Sequence, residues 1–251
     1  MTSYRIRDIL DFKALLEGQM MVIGGLQKMT LLDYPGKVAC TVFLPGCNLR
    51  CPYCHNSSLV IPRKIGEGFQ ESELLDFLRK RQGKLDGVCI TGGEPTIHRD
   101  LPELIEKIKD LGFLLKLDTN GSNPAMLKNL LDRGLLDYAA MDIKNSRERY
   151  PVTCGGPDIT ASVEESMKLL KESGISYELR TTVCKPFHTE ASIRDLARWI
   201  QGAPRYFIQN FEDSGDLIGT GMTAFDDQEL NTLLAAAREY VPEARIRGRQ
   251  D

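Results

Sequence analysis

No stretch of this sequence approaches the roughly 18 consecutive apolar residues that a membrane-spanning helix requires. Charge of one sign is also missing. Lys and Arg number 32 against 35 Asp and Glu, a net charge of −3, so no broad electrostatic attraction to nucleic acid or to an acidic membrane is expected. An export signal is absent from the first 20 residues, where Asp8, Asp11 and Glu17 interrupt what would have to be an apolar core. The chain is expected to be cytoplasmic. Residues 1–20 precede the regular pattern and are assigned no function; Met20 and Met21 offer alternative starts. No composition shift divides residues 21–251, which are expected to form one domain. With 42% apolar and 27% charged residues in 251, the chain can bury a sizeable core and keep a solvated surface.

Seven cysteines is an odd number, and a chain of this length does not need disulfides to fold. In a reducing compartment thiols serve as core filler, nucleophiles or metal ligands. Cys40, Cys89, Cys154 and Cys184 are scattered, whereas Cys47, Cys51 and Cys54 fall within eight residues. From residue 37 onward short apolar runs alternate with helical periodicity. Strands are expected at 37–44, 88–91, 113–117, 138–143, 177–183 and 206–208, with a short one at 244–246. Helices are expected at 70–82, from an Asp100 N-cap to Gly112, from Asn123-Pro124 to Gly134, and at 160–173, 189–201 and 226–240. Six successive βα units predict an α/β fold, a doubly wound sheet or a partial barrel of parallel strands covered by helices.

Unusual residues recur at the C-terminal ends of these strands, the edge where parallel α/β folds bind ligands. The first strand feeds the cysteine loop and the second Gly92-Gly93-Glu94-Pro95. The third delivers Asp118-Thr119-Asn120-Gly121, the fourth Asp142 and Lys144, the fifth Arg180, and the sixth Gln209 and Asn210. Each alone could be an ordinary turn; their convergence on one edge suggests a site. Three thiolates with gaps of three and two residues can wrap one compact metal centre. Structural zinc needs a fourth ligand, and His55, adjacent to Cys54, would reach the same ion awkwardly. A cubane iron–sulfur cluster accounts better for three cysteines, because its fourth iron can take a non-protein ligand.

The string Cys-x3-Cys-x2-Cys with Tyr53 before its last cysteine resembles the cluster motif of the radical S-adenosylmethionine superfamily. Asp33-Tyr34-Pro35-Gly36, Pro45-Gly46-Cys47 and Cys51-Pro-Tyr-Cys54-His55-Asn56 resemble the glycyl-radical-enzyme activating proteins. The segment from Thr30 to Lys37 most resembles the longer form of the anaerobic ribonucleoside-triphosphate reductase activating protein; the likeness spans about residues 22–210. It implies a (β/α)6 partial barrel, and a [4Fe–4S] cluster on Cys47, Cys51 and Cys54 whose open iron chelates S-adenosylmethionine. One-electron cleavage of the sulfonium would give a 5′-deoxyadenosyl radical that takes the Cα hydrogen of a glycine in a partner enzyme.

The resemblance also implies roles for other residues. Gly92, Gly93 and Glu94 would meet the methionine amino group, with Glu94 as acceptor. Asp118 and Asp142 would handle polar groups of the cofactor and, as in some relatives, a monovalent cation. Lys144 would meet the cofactor carboxylate, Arg180 the ribose and carboxylate, and Gln209 and Tyr53 the adenine side. The implied partners are a glycyl radical enzyme, foremost anaerobic ribonucleoside-triphosphate reductase, and a flavodoxin- or ferredoxin-type electron donor. The alternatives are a pyruvate formate-lyase-like partner, a radical enzyme acting on a small molecule, and a zinc-stabilised binding module. Cys40 and Cys89 read as buried small hydrophobes. Cys154 and Cys184 could line the site. His98 and His188 read as loop residues without a partner pattern, 245–249 as a solvated basic face, and Trp199, Leu169 and Leu170 as helix core.

Overall fold

The computed structural model describes residues 21–61 and 68–248; residues 1–20 and Arg249 lie outside them. In chain order the elements are β1 (Val22–Ile23), β2 (Gly25–Thr30), β3 (Ala39–Leu44), α1 (Ser57–Val60), β4 (Phe69–Gln70), α2 (Glu71–Arg79) and β5 (Gly87–Gly92). A 3-10 turn at Pro95–Ile97 precedes α3 (Leu101–Asp110), β6 (Leu114–Thr119), α4 (Pro124–Asp132), β7 (Tyr138–Asp142) and α5 (Tyr150–Cys154). The chain continues through α6 (Thr160–Glu172), β8 (Ser176–Val183), α7 (Glu190–Trp199), β9 (Tyr206–Asn210), α8 (Asp227–Arg238) and β10 (Ala244–Ile246).

Eight strands form one sheet in the order β10-β9-β8-β7-β6-β5-β3-β2, and β1 pairs separately with β4. Every neighbouring pair in the large sheet is parallel except β2 with β3. The sheet curves as an incomplete barrel, with the six expected parallel strands β3 and β5–β9 at its centre. The strands read as continuous apolar runs because both faces are covered. Alternate residues divide the labour. In β6, Leu115 and Leu117 join the apolar core shared with the helices, whose buried faces include Leu74, Leu104, Ile108, Leu127, Leu170, Ile193 and Leu230. Lys116 and Asp118, two residues apart, lie together on the other face and meet in an ion pair.

Local chemistry sets the helix starts. Thr189 with Ser192, and Asp226 with Glu229, form reciprocal capping boxes at α7 and α8. Asn123 accepts from the Met126 amide with Pro124 at the first helical position of α4. Asp100 differs from expectation: it occupies the N-cap of α3, but its side chain makes no capping bond. The helix expected at 70–82 ends at Arg79, followed by turns. Strand β2 was not expected, because this edge strand exposes Gln27, Lys28 and Met29 and so lacks a continuous apolar run. The five-residue α5 was also unforeseen, being too short for helical periodicity to register.

One close approach positions the site. A Cβ on Gly93 would lie 1.8 Å from the Gly46 carbonyl oxygen, so glycine is required where the β5 turn meets the cysteine loop. Gly93→Ala is expected to destabilise the protein by about 1–3 kcal/mol through this overpacking; urea unfolding of the cofactor-free protein checks it, and an unchanged midpoint would contradict the packing.

Candidate active site

The loop after β3 is tied to its neighbours from several sides. Its entry is fixed by hydrogen bonds from the Gly93 amide to the Leu44 carbonyl (2.9 Å), from the Glu94 amide to the Gly46 carbonyl (2.8 Å), and from the Gly46 amide to the Leu59 carbonyl (2.7 Å). His98 Nε2 contacts the Pro45 carbonyl at 2.8 Å; burial lowers its pKa despite that carbonyl, so a neutral ring donates there. In mid-loop the Arg50 amide donates to the Cys154 carbonyl (3.0 Å) and the Gly219 amide to the Pro52 carbonyl (2.8 Å). Arg50 folds back onto the carbonyls of Cys47 and Leu49. The three cysteines are thereby held around one pocket.

That pocket opens at the C-terminal strand edge and is bordered by Cys47, Cys51, Cys54 and residues from every strand end from β5 to β8. The thiols differ. Burial, helped by the negative charge of Glu94, pushes Cys47 up to about 12. Cys51 is lowered to about 7, chiefly by a hydrogen bond from the Cys154 thiol and then by the positive charge of Lys144, against burial. Cys54 is raised by burial. Around Cys47 Sγ lie the Leu49 amide at 3.4 Å and Asn120 Nδ2 at 3.9 Å. Among the described residues no group of three or more His, Cys, Asp or Glu is arranged to hold a single metal ion.

Glu94 is 1% exposed, and its carboxylate belongs to the protein rather than to a ligand. Oε1 accepts from the Thr96 amide (3.1 Å), Thr96 Oγ1 (2.5 Å) and Thr119 Oγ1 (2.7 Å), while Oε2 accepts from the Asn120 amide (2.6 Å). Oε1 is thereby saturated, whereas Oε2, with one donor, keeps a lone pair. Most of the acceptor capacity of Glu94 thus fixes the turn, and Oε2 keeps the site that the expected contact with an ammonium would use. Gly92 and Gly93, also on the pocket wall, leave backbone groups to meet a ligand there.

On the opposite wall lies a ladder of charges. Lys144 Nζ meets Asp142 Oδ2 at 2.9 Å, Arg180 Nε meets Asp142 Oδ1 at 3.0 Å, Arg180 NH1 meets Asp118 Oδ2 at 3.0 Å, and Lys116 Nζ closes on Asp118 Oδ1. Burial raises the pKa of both carboxyls, but the cations outweigh it: Arg180 and Lys116 hold Asp118, and Lys144 and Arg180 hold Asp142, below the ordinary carboxylate range. Lys144 is braced through its backbone, its amide donating to the Tyr150 hydroxyl (3.2 Å) and its carbonyl contacting His188 Nε2 at 2.8 Å. His188 also accepts from the Cys184 amide through Nδ1 at 3.1 Å.

Eleven of the twelve expected site residues line the pocket: Cys47, Cys51, Tyr53, Cys54, Gly92, Gly93, Glu94, Asp118, Asp142, Lys144 and Arg180. Gln209 does not; it pairs in register with Thr182, and Thr182 is the residue on the wall. Sequence reasoning missed the bracing roles of His98, His188 and Asn120, which depend on contacts 53, 44 and 72 residues away. It also missed Lys116, for which a signal existed: a lysine amid leucines, two positions before Asp118 on a strand, must share its face. Of the expected core positions, Cys40, Cys89 and Leu170 are buried, whereas Leu169 and Trp199 are only half-buried; the Cys89 thiol lies 3.7 Å from Lys116 Nζ.

The fold is thus that of a ligand-binding α/β barrel with its polar groups at one strand edge. Residues 41–200, more than half the chain, match the model of the radical SAM superfamily, and the chain belongs to that family. Members use a [4Fe–4S] cluster and S-adenosylmethionine. A Methanocaldococcus jannaschii protein with the provisional name glycyl-radical enzyme activating enzyme is 32% identical over 234 residues, covering 90% of this chain and 95% of its own. Among solved structures, Streptococcus suis SuiB bound to S-adenosylmethionine superposes with a TM-score of 0.64 at 16% identity, over 83% of this chain and 52% of SuiB. A domain of pyruvate-formate lyase-activating enzyme from Bacteroides vulgatus gives 0.52 at 16% identity, over 64% of this chain and 99% of that one.

The pocket fits the two groups on observations of its own. Three thiols border one cavity, and the Tyr53 hydroxyl is buried there with no hydrogen-bond partner among the described residues. For the charge ladder, Asp118→Asn would strand Lys116 and Arg180 and is expected to cost about 3–5 kcal/mol at neutral pH. Because the folded pKa of Asp118 is depressed, its stabilisation is complete above the unfolded value near 3.9 and is lost as pH falls through the folded one. Denaturation of the two proteins across pH 3–7 checks this: the gap should narrow on acidification, and a constant gap would contradict the assignment.

Proposed function

We propose that this protein is an activase that installs a glycyl radical on a partner enzyme, anaerobic ribonucleoside-triphosphate reductase being the foremost candidate. The observation that carries the reading is the enclosure of one pocket by Cys47, Cys51, Cys54 and Gly92-Gly93 on one side and by Lys144 and Arg180 on the other. The relative of similar length that bears an activating-enzyme name supports it. So does the string from Thr30 to Lys37. Those residues lie at the far end of the barrel, where Tyr34 packs on Tyr138 and Asp33 Oδ2 accepts from Thr41 Oγ1 at 2.5 Å; they speak for kinship through the fold, not through contact with a substrate.

Cys47, Cys51 and Cys54 would hold the cluster by three irons. A cluster bound there would supply one-electron reductive cleavage of S-adenosylmethionine, the chemistry that gives a 5′-deoxyadenosyl radical able to take one hydrogen from the partner's glycine. The chain's own residues bind and orient. Gly92 and Gly93 offer backbone carbonyls to the amino group of the methionine part. Lys144, already braced through its amide and carbonyl, turns its ammonium from Asp142 toward the cofactor carboxylate, and Arg180 remains anchored by both aspartates. Tyr53, in edge contact with His188 and tilted against Phe187, closes the cluster side and excludes water. No general base is required to begin the reaction. A one-electron donor of flavodoxin or ferredoxin type completes the scheme.

The test is anaerobic reconstitution with iron and sulfide, followed by reduction with S-adenosylmethionine. Methionine and 5′-deoxyadenosine are expected from the wild type and from Cys40→Ala, whose thiol lies in a strand away from the pocket. Cys51→Ala should lower the yield at least a hundredfold; undiminished cleavage would refute the cluster assignment. A glycyl radical signal by electron paramagnetic resonance in the co-incubated reductase would establish the partner, and its absence there would remove that candidate. Retained zinc with no iron–sulfur absorption would select the binding-module alternative.

A further inference from the structure

We infer that the ammonium of Lys116 is a built-in monovalent cation for the Asp118–Asp142 pair, so that this enzyme binds S-adenosylmethionine without recruiting potassium or sodium. The inference rests on the proposed cofactor site and departs from what the family resemblance implies for these two aspartates. Every carboxylate oxygen of this pair already faces a cationic side chain, so the charge that would draw a metal cation is met from within the chain. Asp118 Oδ1 is taken by Lys116 Nζ and Oδ2 by Arg180 NH1, while Asp142 Oδ1 is taken by Arg180 Nε and Oδ2 by Lys144 Nζ.

Charge counting shows why the lysine is needed. Without a cofactor, three cationic side chains face two carboxylates, and one positive charge is left over. Once Lys144 commits its ammonium to the carboxylate of S-adenosylmethionine, the aspartates keep Arg180 and Lys116, one cation each. Remove Lys116 and the bound state holds an uncompensated carboxylate in a buried place, which is costly. That deficit is the one a monovalent cation would fill. Lys116 is well placed for the task. Its side chain is 2% exposed, so it cannot drift into solvent, and it enters from β6, deeper in the barrel than the pocket wall. Its only other polar neighbour given by the structure is Cys89 Sγ at 3.7 Å. A protonated amine is a compact point charge, comparable to potassium in size and charge.

The experiment measures S-adenosylmethionine affinity by equilibrium dialysis, using the reconstituted protein with its cluster oxidised so that no turnover occurs. The salt is potassium chloride, sodium chloride or tetramethylammonium chloride at one ionic strength, the last cation being too large to enter the site. The wild-type affinity should agree within twofold in all three. Lys116→Met should bind at least tenfold more weakly in tetramethylammonium and recover most of that loss in potassium or sodium, while Lys116→Arg, which keeps the charge, should need no rescue. A wild-type affinity that falls fivefold or more without potassium and sodium overturns the inference, even if the variant does not fold. So does a Lys116→Met protein that is unaffected, or one weakened equally in every salt. Absence of S-adenosylmethionine binding by the wild type in any salt would instead overturn the functional reading beneath it.

Discussion

One buried carboxylate, that of Glu94, holds the working edge of this barrel together. It is reached by the Thr96 turn after β5 and by Thr119 and Asn120 at the end of β6. Through Asn120, whose Nδ2 donates to Asn48 Oδ1 at 3.0 Å and points toward Cys47 Sγ, it reaches the cysteine loop. Burial pushes Glu94 toward the neutral acid, and hydrogen bonds from Thr96, Asn120 and Thr119 oppose that shift. An ionised carboxylate deep in a protein is tolerable only when such donors replace its lost water. Three strand-end loops are thus fastened to one carboxyl group, and the pocket keeps its shape before any ligand arrives.

The two walls of that pocket work by different physics. On the cysteine side the chain contributes backbone ties, a pair of glycines where any Cβ would collide with the neighbouring loop, and a neutral histidine under Pro45. On the other side it contributes charge, arranged as alternating acids and bases on β6, β7 and β8. Two aspartates shared among three cations stay ionised and fixed in orientation, so that Lys144 and Arg180 present positive charge at the opening. The arrangement suits a zwitterionic ligand: backbone acceptors for an ammonium on one wall, an ammonium and a guanidinium for a carboxylate on the other. Preorganisation of this kind lowers the entropic cost of holding a reactive centre near a C–H bond.

The cycle of apolar runs and helical periodicity was enough to place six parallel strands, because in a sheet buried on both faces the strand signal is composition and the helix signal is period. The helix starts at Asn123, Thr189 and Asp226 were legible because what fixes them is local, capping hydrogen bonds that span three residues. Edge strand β2 was not legible, since half of it faces solvent. The convergence of the cysteines with Glu94, Asp118, Asp142, Lys144 and Arg180 could be read from one topological rule, that strands in βα units point the same way and end at one edge.

What the chain determined alone is therefore the inventory and its address: three thiols at a fixed spacing, glycines where a turn must be tight, and acids and bases at strand ends. Only the tertiary structure decided which of these face a ligand and which face each other. Glu94 turned inward to donors in its own turn and in the loop after β6, and Gln209 lost the pocket wall to Thr182 in the neighbouring strand. Lys116 became part of the site because the barrel's curvature brings β8, with Arg180, against the same acids. Such choices depend on distances across the barrel, between residues up to 62 positions apart, and local sequence carries no record of them.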